Sequence, residues 1–218
     1  MQQTQTGVII ESGAVNQMIR NTYRLLGLTL IFSAITAGIS MMLNLGSIAA
    51  LVMMLAAFGV LFIVNKKADT AAGLGWIFAF TGLMGASLGP VLNTYAALQN
   101  GPIIIMQALG ATALIFFALS AYAMHTKKDF SFMGGFLMVG LIVVVIASIA
   151  NIFLSIPALS ITISAVAVLV MSGLILFDTS RIINGGETNY IRATVALYLD
   201  VFNLFVHLLS LFGLMSDE

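Results

Sequence analysis

Two long apolar stretches near the end of the chain, each with an aspartate in its interior, decide the fold. Residues 157–183 read PALSITISAVAVLVMSGLILFDTSRII, and residues 190–214 read YIRATVALYLDVFNLFVHLLSLFGL. Each stretch exceeds the ~20 residues that an α-helix needs to cross the hydrocarbon core of a bilayer. The runs are too long for barrel strands and do not alternate. They therefore predict a pair of transmembrane helices that carry Asp178 and Asp200.

The composition of the whole chain extends this prediction to an all-α integral membrane protein in a lipid bilayer. The 218 residues are 61% hydrophobic and 7% charged, whereas soluble domains carry roughly 25% charged residues. The formal net charge is zero, which gives no indication of a nucleic-acid partner. The absence of cysteine excludes disulfide scaffolds and thiolate metal sites. No Walker, dinucleotide-binding or zinc motif occurs, so we expect no cofactor, no small-molecule substrate and no enzyme activity.

Seven apolar runs are separated by short linkers, and this spacing predicts seven transmembrane helices. The organisation is a polar and mobile N-terminal tail (1–23), a helix bundle (24–214) and a short C-terminal tail (215–218). The spans are predicted at 24–44, 47–64, 72–96, 103–124, 132–154, 157–183 and 190–214.

All eight basic residues fall in or beside alternate linkers, which places them on one side of the bilayer. The intervening linkers carry no Lys or Arg. By the positive-inside rule we expect the N-terminus in the cytoplasm and the C-terminus outside. The basic residues are Arg20, Arg24, Lys66, Lys67, Lys127, Lys128, Arg181 and Arg192.

Asp178 and Asp200 are the candidate functional residues, because a carboxylate inside a hydrocarbon span is costly and is a functional hypothesis by default. The turn Asn184-Gly185-Gly186 ends the first helix, and Tyr190 begins the second. At 1.5 Å per residue the two carboxylates lie roughly 9 and 15 Å from the cytoplasmic ends of their helices. They can therefore meet across the hairpin and share a proton, as a pH-sensitive latch that also attracts cations.

Polar residues follow Asp200 along one face of the last span. Asn203 and His207 lie three and seven positions after it, and Ser210 extends the stripe. A polar stripe in a membrane helix is expected to face the bundle interior. For His207 we favour an interhelical hydrogen bond over metal ligation, because the chain has only one other histidine.

Simpler interpretations stay open beside the latch. Asp178 can form an i, i+3 ion pair with Arg181, and both carboxylates can be structural. Gly85-Ala86-Ser87-Leu88-Gly89 fits the G-x-S-x-G pattern of serine hydrolases, with His207 as base, and paired aspartates also suggest an intramembrane protease. We favour close helix packing for this motif, through small residues four apart such as Gly85 and Gly89, or Ala34 and Gly38.

Several stretches together resemble the Bax inhibitor family, in particular its bacterial YccA-like branch. The resemblance covers nearly the whole chain and implies a seven-helix fold with the last helix central and ringed by the other six. The stretches that carry it are FSAITA (32–37), GLMGASLGP (82–90), SAYAMHTKKDFSFMGG (120–135), LFDT (176–179), NGGETNYIRATVALYL (184–199) and ALYLDVFNLFVHLLSLFG (196–213).

The resemblance implies two functions. YccA-like proteins bind the membrane AAA protease FtsH and restrain its degradation of membrane proteins such as SecY. Calcium-leak members of the family use a pair of aspartates as a pH-sensitive latch, and those positions match Asp178 and Asp200. The chain departs from the leak proteins in its second span, 47–64, which lacks their acidic and basic residues. The resemblance therefore implies the FtsH modulator first and the cation leak as the alternative.

Overall fold

The computed structural model describes the backbone of residues 2–216 and the side chains of 13–215, and this part of the chain is helical without β-strands. The predicted all-α fold is therefore confirmed. A 3₁₀ turn, Ser131–Met133, precedes the fifth helix. The α-helices are α1 (Gln2–Met42), α2 (Ser47–Lys67), α3 (Ala72–Ala96), α4 (Gly101–Thr126), α5 (Gly134–Leu154), α6 (Pro157–Ile183) and α7 (Tyr190–Ser216).

All seven helices are long and apolar enough to cross a membrane, with the first candidate span at Gly13–Met42. The predicted span boundaries agree closely with the helix ends. Apart from the start of α1, the largest difference is the end of α2, which lies at Lys67 rather than at 64. Short polar linkers and long apolar runs leave little freedom in where a helix can end, which explains the agreement.

Helix α1 begins before the predicted first span at 24–44, and the mobile tail over residues 1–23 stays a prediction. The helix begins at Gln2 and continues without interruption to Met42. No proline occurs in this range, so nothing in the backbone stops a helix that the apolar span has nucleated from extending backwards. The predicted C-terminal tail falls mostly on Asp217 and Glu218, which lie outside the described residues.

Two compact units make up the described chain. The first contains the residues up to Asn93 together with Arg181–Tyr198, and the second contains Thr94–Ser180 together with the residues from Leu199 onwards. Helix α7 therefore contributes its first part to one unit and its remainder to the other. The expectation that α7 is central and ringed by six helices stays a prediction.

In the first unit, α3 packs closely against α1 through its glycines. A Cβ atom added at Gly85 would collide with the carbonyl oxygen of Ser33, and one at Gly89 with the side chain of Ser40. The prediction of close packing at Gly85 and Gly89 is therefore confirmed. The pairing of Ala34 and Gly38 is wrong, because Gly38 has open space around it and the buried small residues of α1 lie on a neighbouring stripe.

The turn between α6 and α7 forms as its glycines predict. Gly185 adopts the left-handed conformation with φ of 75°. The amide of Gly186 donates to the carbonyl oxygen of Arg181 at 2.8 Å, which is the hydrogen bond of a Schellman cap. This cap ends α6 abruptly and fixes the length of the hairpin on which the two aspartates lie.

Candidate functional site: the carboxyl pair of α6 and α7

The carboxyl groups of Asp178 on α6 and Asp200 on α7 are hydrogen-bonded to each other within the second unit. Asp200 is buried, with 5% of its surface exposed, and Asp178 is half-buried. Two carboxyl groups can share a hydrogen bond only when one of them carries a proton. The structure thus brings together the two residues that the sequence pairs, and their hydrogen bond forms when one of them is protonated; their role as a latch stays a prediction.

The hydrogen bond uses only part of the capacity of the pair. Atom Oδ2 of Asp200 is buried and has no hydrogen-bond partner among the described residues. A buried carboxyl oxygen without a partner is destabilising by roughly 1–3 kcal/mol. Oδ2 is therefore the oxygen of Asp200 that can still bind a proton, a water molecule or a cation.

A calcium ion is a harder fit for this site than a proton. Calcium takes six to eight oxygen ligands, whereas the described residues contain no group of three or more His, Asp or Glu side chains that could hold a metal. Asp178 and Asp200 would supply two carboxylates, and both must lose the shared proton to do so. Proton and cation would thus compete for the pair, and calcium here would be cargo rather than a resident cofactor.

Arg181, predicted to support the pair or to neutralise Asp178, contacts the turn that follows α6. Its guanidinium lies 3.9 Å from the Glu187 carboxylate and donates to the carbonyl oxygen of Gly186 at 3.5 Å. Arg181 belongs to the first unit and Asp178 to the second. The Asp178–Arg181 ion pair stays a hypothesis.

The polar stripe that follows Asp200 does not occupy the most buried face of α7. Asn203, His207 and Ser210 are half-buried, while Leu204 is fully buried. The amide of Asn203 donates to the carbonyl oxygen of its own helix at Leu199. Leucines of α7 fill its most buried side instead, and the expectation that the stripe faces the bundle interior stays a prediction.

Two polar networks in the first unit escaped the sequence interpretation. In the first, Oδ1 of Asn189 accepts a hydrogen bond from the backbone amide of Ile191 at 2.8 Å, which caps α7. Its Nδ2 donates to Asp69 at 2.8 Å, and Arg192 donates to the same carboxylate at 2.6 Å. Asparagine directly before a helix is a recognisable cap signal, but its contact with the α2–α3 turn is not visible in sequence.

The second network surrounds Tyr198, which is fully buried two residues before Asp200. Its hydroxyl lies 2.6 Å from Oγ of Ser33 and donates to the carbonyl oxygen of Thr81 at 3.3 Å. Its ring packs edge-on against Phe80, with 5.6 Å between the ring centroids. A lone tyrosine in an apolar run gives a signal too weak to predict these partners.

Ser87, the serine of the hydrolase-like motif, is part of the continuous helix α3. Its hydroxyl is buried and donates to the carbonyl oxygen of Met84 at 2.7 Å. A nucleophile elbow needs a sharp turn between a strand and a helix, which this helical setting does not provide. The geometry supports the packing interpretation of this motif.

The family model described as "Inhibitor of apoptosis-promoting Bax1" matches residues 15–217. The chain belongs to the Bax inhibitor family. The match includes all of α2 to α7 and therefore both aspartates of the pair.

Relatives with similar sequences cover almost the entire chain. An uncharacterised membrane protein of Vibrio cholerae is 52% identical over 216 residues, which is 99% of this chain and 97% of the relative. The Escherichia coli K12 protein named "Modulator of FtsH protease YccA" is 53% identical over 205 residues, 94% of this chain and 93% of its own. A second Escherichia coli strain has the same degree of identity in a protein named "Inner membrane protein YccA".

These relatives and the seven apolar helices together identify a multi-pass inner-membrane protein of the Bax inhibitor family. The family and the name of the Escherichia coli relative point to a regulator rather than an enzyme. The predicted orientation of the two termini stays a prediction.

Proposed function

We propose that this chain is a non-enzymatic inner-membrane regulator that binds the membrane protease FtsH and restrains its degradation of other membrane proteins. The observation that carries the proposal is the identity of 53%, over 94% of this chain, with a protein named as a modulator of FtsH. The first residues of α1 precede the candidate span Gly13–Met42. In the predicted orientation they lie in the cytoplasm, where a protease ring can engage them.

Removal of residues 2–12 tests this proposal, because the deletion leaves the candidate span Gly13–Met42 intact. In cells that lack the wild-type chain, we expect the full-length protein to slow the turnover of a membrane substrate such as SecY. The truncated protein should insert normally, fail to co-purify with FtsH and leave SecY turnover fast. A matched control replaces residues 2–12 with a Gly-Ser segment of equal length, which separates the sequence of the segment from its length.

Two outcomes would contradict the proposal. One is an unchanged SecY half-life whether the full-length chain is present or absent. The other is co-purification of the full-length chain with FtsH no better than that of an unrelated membrane protein of similar size.

A second candidate function is a pH-gated cation leak, favoured by the hydrogen-bonded carboxyl pair inside the bilayer. In the protonated form the hydrogen bond holds α6 and α7 together. When the proton is lost, two adjacent negative charges repel each other, the helices separate and a cation can enter. The two functions are compatible, because the state of the latch can set the shape that FtsH recognises.

Calcium flux into liposomes that hold the purified protein tests this second function. We expect flux to rise with pH over a series from about 5 to about 8, and Asp200→Asn to remove the pH dependence because asparagine does not titrate. The matched control is Asp69→Asn, which changes an exposed carboxylate of the α2–α3 turn. The absence of flux at every pH would rule the leak out and leave the FtsH proposal standing.

A further inference from the structure

The polar face of α7, defined here as Asn203, His207 and Ser210, lies on the half-buried side of the helix, away from its buried leucines. All three are half-buried. Leu204, Leu208 and Leu209 have exposed fractions of 0%, 4% and 0%. At about 100° per residue, positions 203, 207 and 210 lie on one side of the helix. The polar side chains of this part of α7 thus occupy its less buried side.

Most hydrogen-bonding groups of this face have no protein partner. The Asn203 amide donates to its own helix, and Ser210 accepts from Oγ of Ser164 at 3.2 Å. Among the residues that the structure describes, neither the carbonyl oxygen of Asn203 nor the imidazole of His207 has a hydrogen-bond partner. The protein alone therefore does not satisfy the polar face.

Lipid does not satisfy it either. Hydrocarbon offers no hydrogen bonds, and an imidazole or amide exposed to it is destabilised by several kcal/mol. Polar side chains inside transmembrane spans accordingly face the protein interior or a water-filled cavity. Since the interior side of α7 is filled by leucines, water is the occupant that fits the polar face.

The polar face continues directly from the carboxyl pair. Asp200 precedes Asn203 by three residues, His207 follows by four and Ser210 by three, so successive polar groups are separated by a rise of about 5 Å. One water molecule can bridge polar atoms at that separation, with a hydrogen bond of about 2.8 Å to each. Oδ2 of Asp200, which is buried without a partner, lies at the inner end of this series.

We propose that the polar face of α7 lines a water-filled crevice that opens where α7 ends and carries protons to the Asp178–Asp200 pair. A proton that enters at the mouth protonates the first water molecule, each water molecule passes a proton to the next, and the last transfer converts the carboxylate of the pair to its acid. His207 can accept and release a proton along the way. Ser210 lies six residues before the end of α7 at Ser216, so the mouth is roughly 9 Å away.

The surrounding elements of the second unit leave few competing titratable groups. Helix α5 contains no acidic, basic or histidine residue, and α4 contains only His125, in its last turn. The portion of α6 in this unit contributes Asp178 alone. Protons that reach the crevice are therefore taken up by Asp178, Asp200 or His207. The crevice itself is independent of the proposed function; only its effect on the latch rests on it.

The chain contains no cysteine, which makes single-cysteine labelling a direct test. Ser210→Cys and His207→Cys place a thiol on the polar face, and the first is nearly isosteric. The lipid-facing control is Val143→Cys on α5, where the native side chain is 55% exposed. The buried control is Leu209→Cys. The probe is a charged, membrane-impermeant methanethiosulfonate reagent, applied to the full-length protein in native membranes.

We expect Ser210→Cys and His207→Cys to react at least about tenfold faster than Val143→Cys, because a charged reagent enters hydrocarbon only at a cost of several kcal/mol. In intact spheroplasts and inverted vesicles, only the side on which α7 ends should give the fast reaction. Rates as slow as those of Val143→Cys would overturn the proposal. Fast labelling in detergent but not in membranes would also overturn it, since a partner helix would then cover the face.

A pH jump tests the transfer of protons. The infrared carboxyl band of the pair, assigned with Asp200→Asn, should appear after acidification on the side where α7 ends. We expect His207→Leu to slow its appearance about tenfold or more by interrupting the water file. An unchanged rate would overturn the proton route. A chain that labels as expected but conducts no calcium would contradict the leak while supporting the crevice.

Discussion

Polar residues in the first part of helix α7 have hydrogen-bond partners on neighbouring elements, whereas several polar groups in its second part have none among the described residues. The anchored part, Tyr190–Tyr198, and its cap residue Asn189 belong to the first unit, and the spare part, Leu199–Ser216, belongs to the second. In the anchored part, Thr194 donates to the carbonyl oxygen of Thr22 on α1 at 3.3 Å. The hydroxyl of Tyr198 lies 2.6 Å from that of Ser33. Polar groups there hold α7 to neighbouring elements.

The spare part leaves hydrogen-bonding capacity unused. Oδ2 of Asp200 is buried without a partner among the described residues, and His207 has none there either. Spare capacity is destabilising, so it is retained where protons, water or ions must enter. The comparison teaches that burial and polarity alone do not identify a functional site in this molecule. Tyr198 is as buried as Asp200, yet its partners make it an anchor.

The largest expected effect comes from removing the cap of the anchored part. Asn189→Ala deletes the bond to the Ile191 amide and the bond to Asp69. We expect the free energy of unfolding in detergent micelles to fall by about 2–3 kcal/mol, the sum of a lost helix cap and a lost side-chain hydrogen bond. Denaturation with SDS, followed by circular dichroism, measures it.

The control for this variant is Thr188→Ala, which alters the neighbouring exposed side chain. It should change the free energy of unfolding by less than about 0.5 kcal/mol. Similar losses in the free energy of unfolding of both variants would show that this turn is equally sensitive to any substitution. Asn189 would then not be a specific anchor of α7.

Loss of a single hydroxyl from the anchored part should have a smaller effect. Tyr198→Phe keeps the ring against Phe80 and removes the contacts with Ser33 and the Thr81 carbonyl oxygen. Ser33 still donates to Thr81 at 2.8 Å, so no donor is stranded. We expect a loss of about 1–2 kcal/mol in the free energy of unfolding. Tyr190→Phe, a half-buried residue of the same helix, is the matched control and should be neutral. An equal response in both would place the anchor elsewhere.

The sequence predicted the parts of this structure that depend on local rules. Hydropathy and linker length placed the helix ends, and the short hairpin between α6 and α7 set the register that brings Asp178 to Asp200. The glycines of the turn were sufficient for this, because a hairpin of known length allows few pairings. The start of α1 was missed, since composition describes solvent preference and gives no signal for where a proline-free helix ends.

Long-range contacts were beyond the sequence. Asn189 and Asp69 are 120 positions apart, and no pattern in either segment predicts that the two residues are in contact. The small-residue stripes of α1 were ambiguous for a related reason: Ala34 and Gly38 fit the spacing rule, but the side of α1 that α3 meets depends on packing between helices. Polarity likewise predicts that the stripe after Asp200 faces the bundle interior, but polarity alone does not distinguish a packed interior from a water-lined crevice.

The contribution of the carboxyl pair to stability should depend on pH, unlike that of the hydrogen bonds in the anchored part. The hydrogen bond between Asp178 and Asp200 requires a proton, so its contribution is present at low pH and is lost as pH rises. We expect the wild-type free energy of unfolding to fall by about 1–3 kcal/mol toward alkaline pH, the cost of leaving the buried groups unpaired. Asp200→Asn should flatten this dependence.

The control for the pH series is Asp69→Asn, which removes an exposed carboxylate paired with Arg192. This variant should keep the alkaline loss of stability, because the α6–α7 pair is unchanged. Identical pH profiles for the wild type and Asp200→Asn would place the titrating group outside the pair. The contrast between anchored and spare parts would then lose its functional meaning.

The smallest expected effect is that of His207→Leu. This variant tests the second part of α7, whereas Asn189→Ala and Tyr198→Phe test the first. An imidazole in contact with water contributes little to folding, so we expect a change within about 0.5 kcal/mol in the free energy of unfolding. Tyr198→Phe removes fewer polar atoms yet should cost more, because its hydroxyl has protein partners. Paired unfolding titrations of the two variants measure this difference. If His207→Leu destabilised the protein as much as Tyr198→Phe, the imidazole would be an anchor, and the two parts of α7 would not differ in kind.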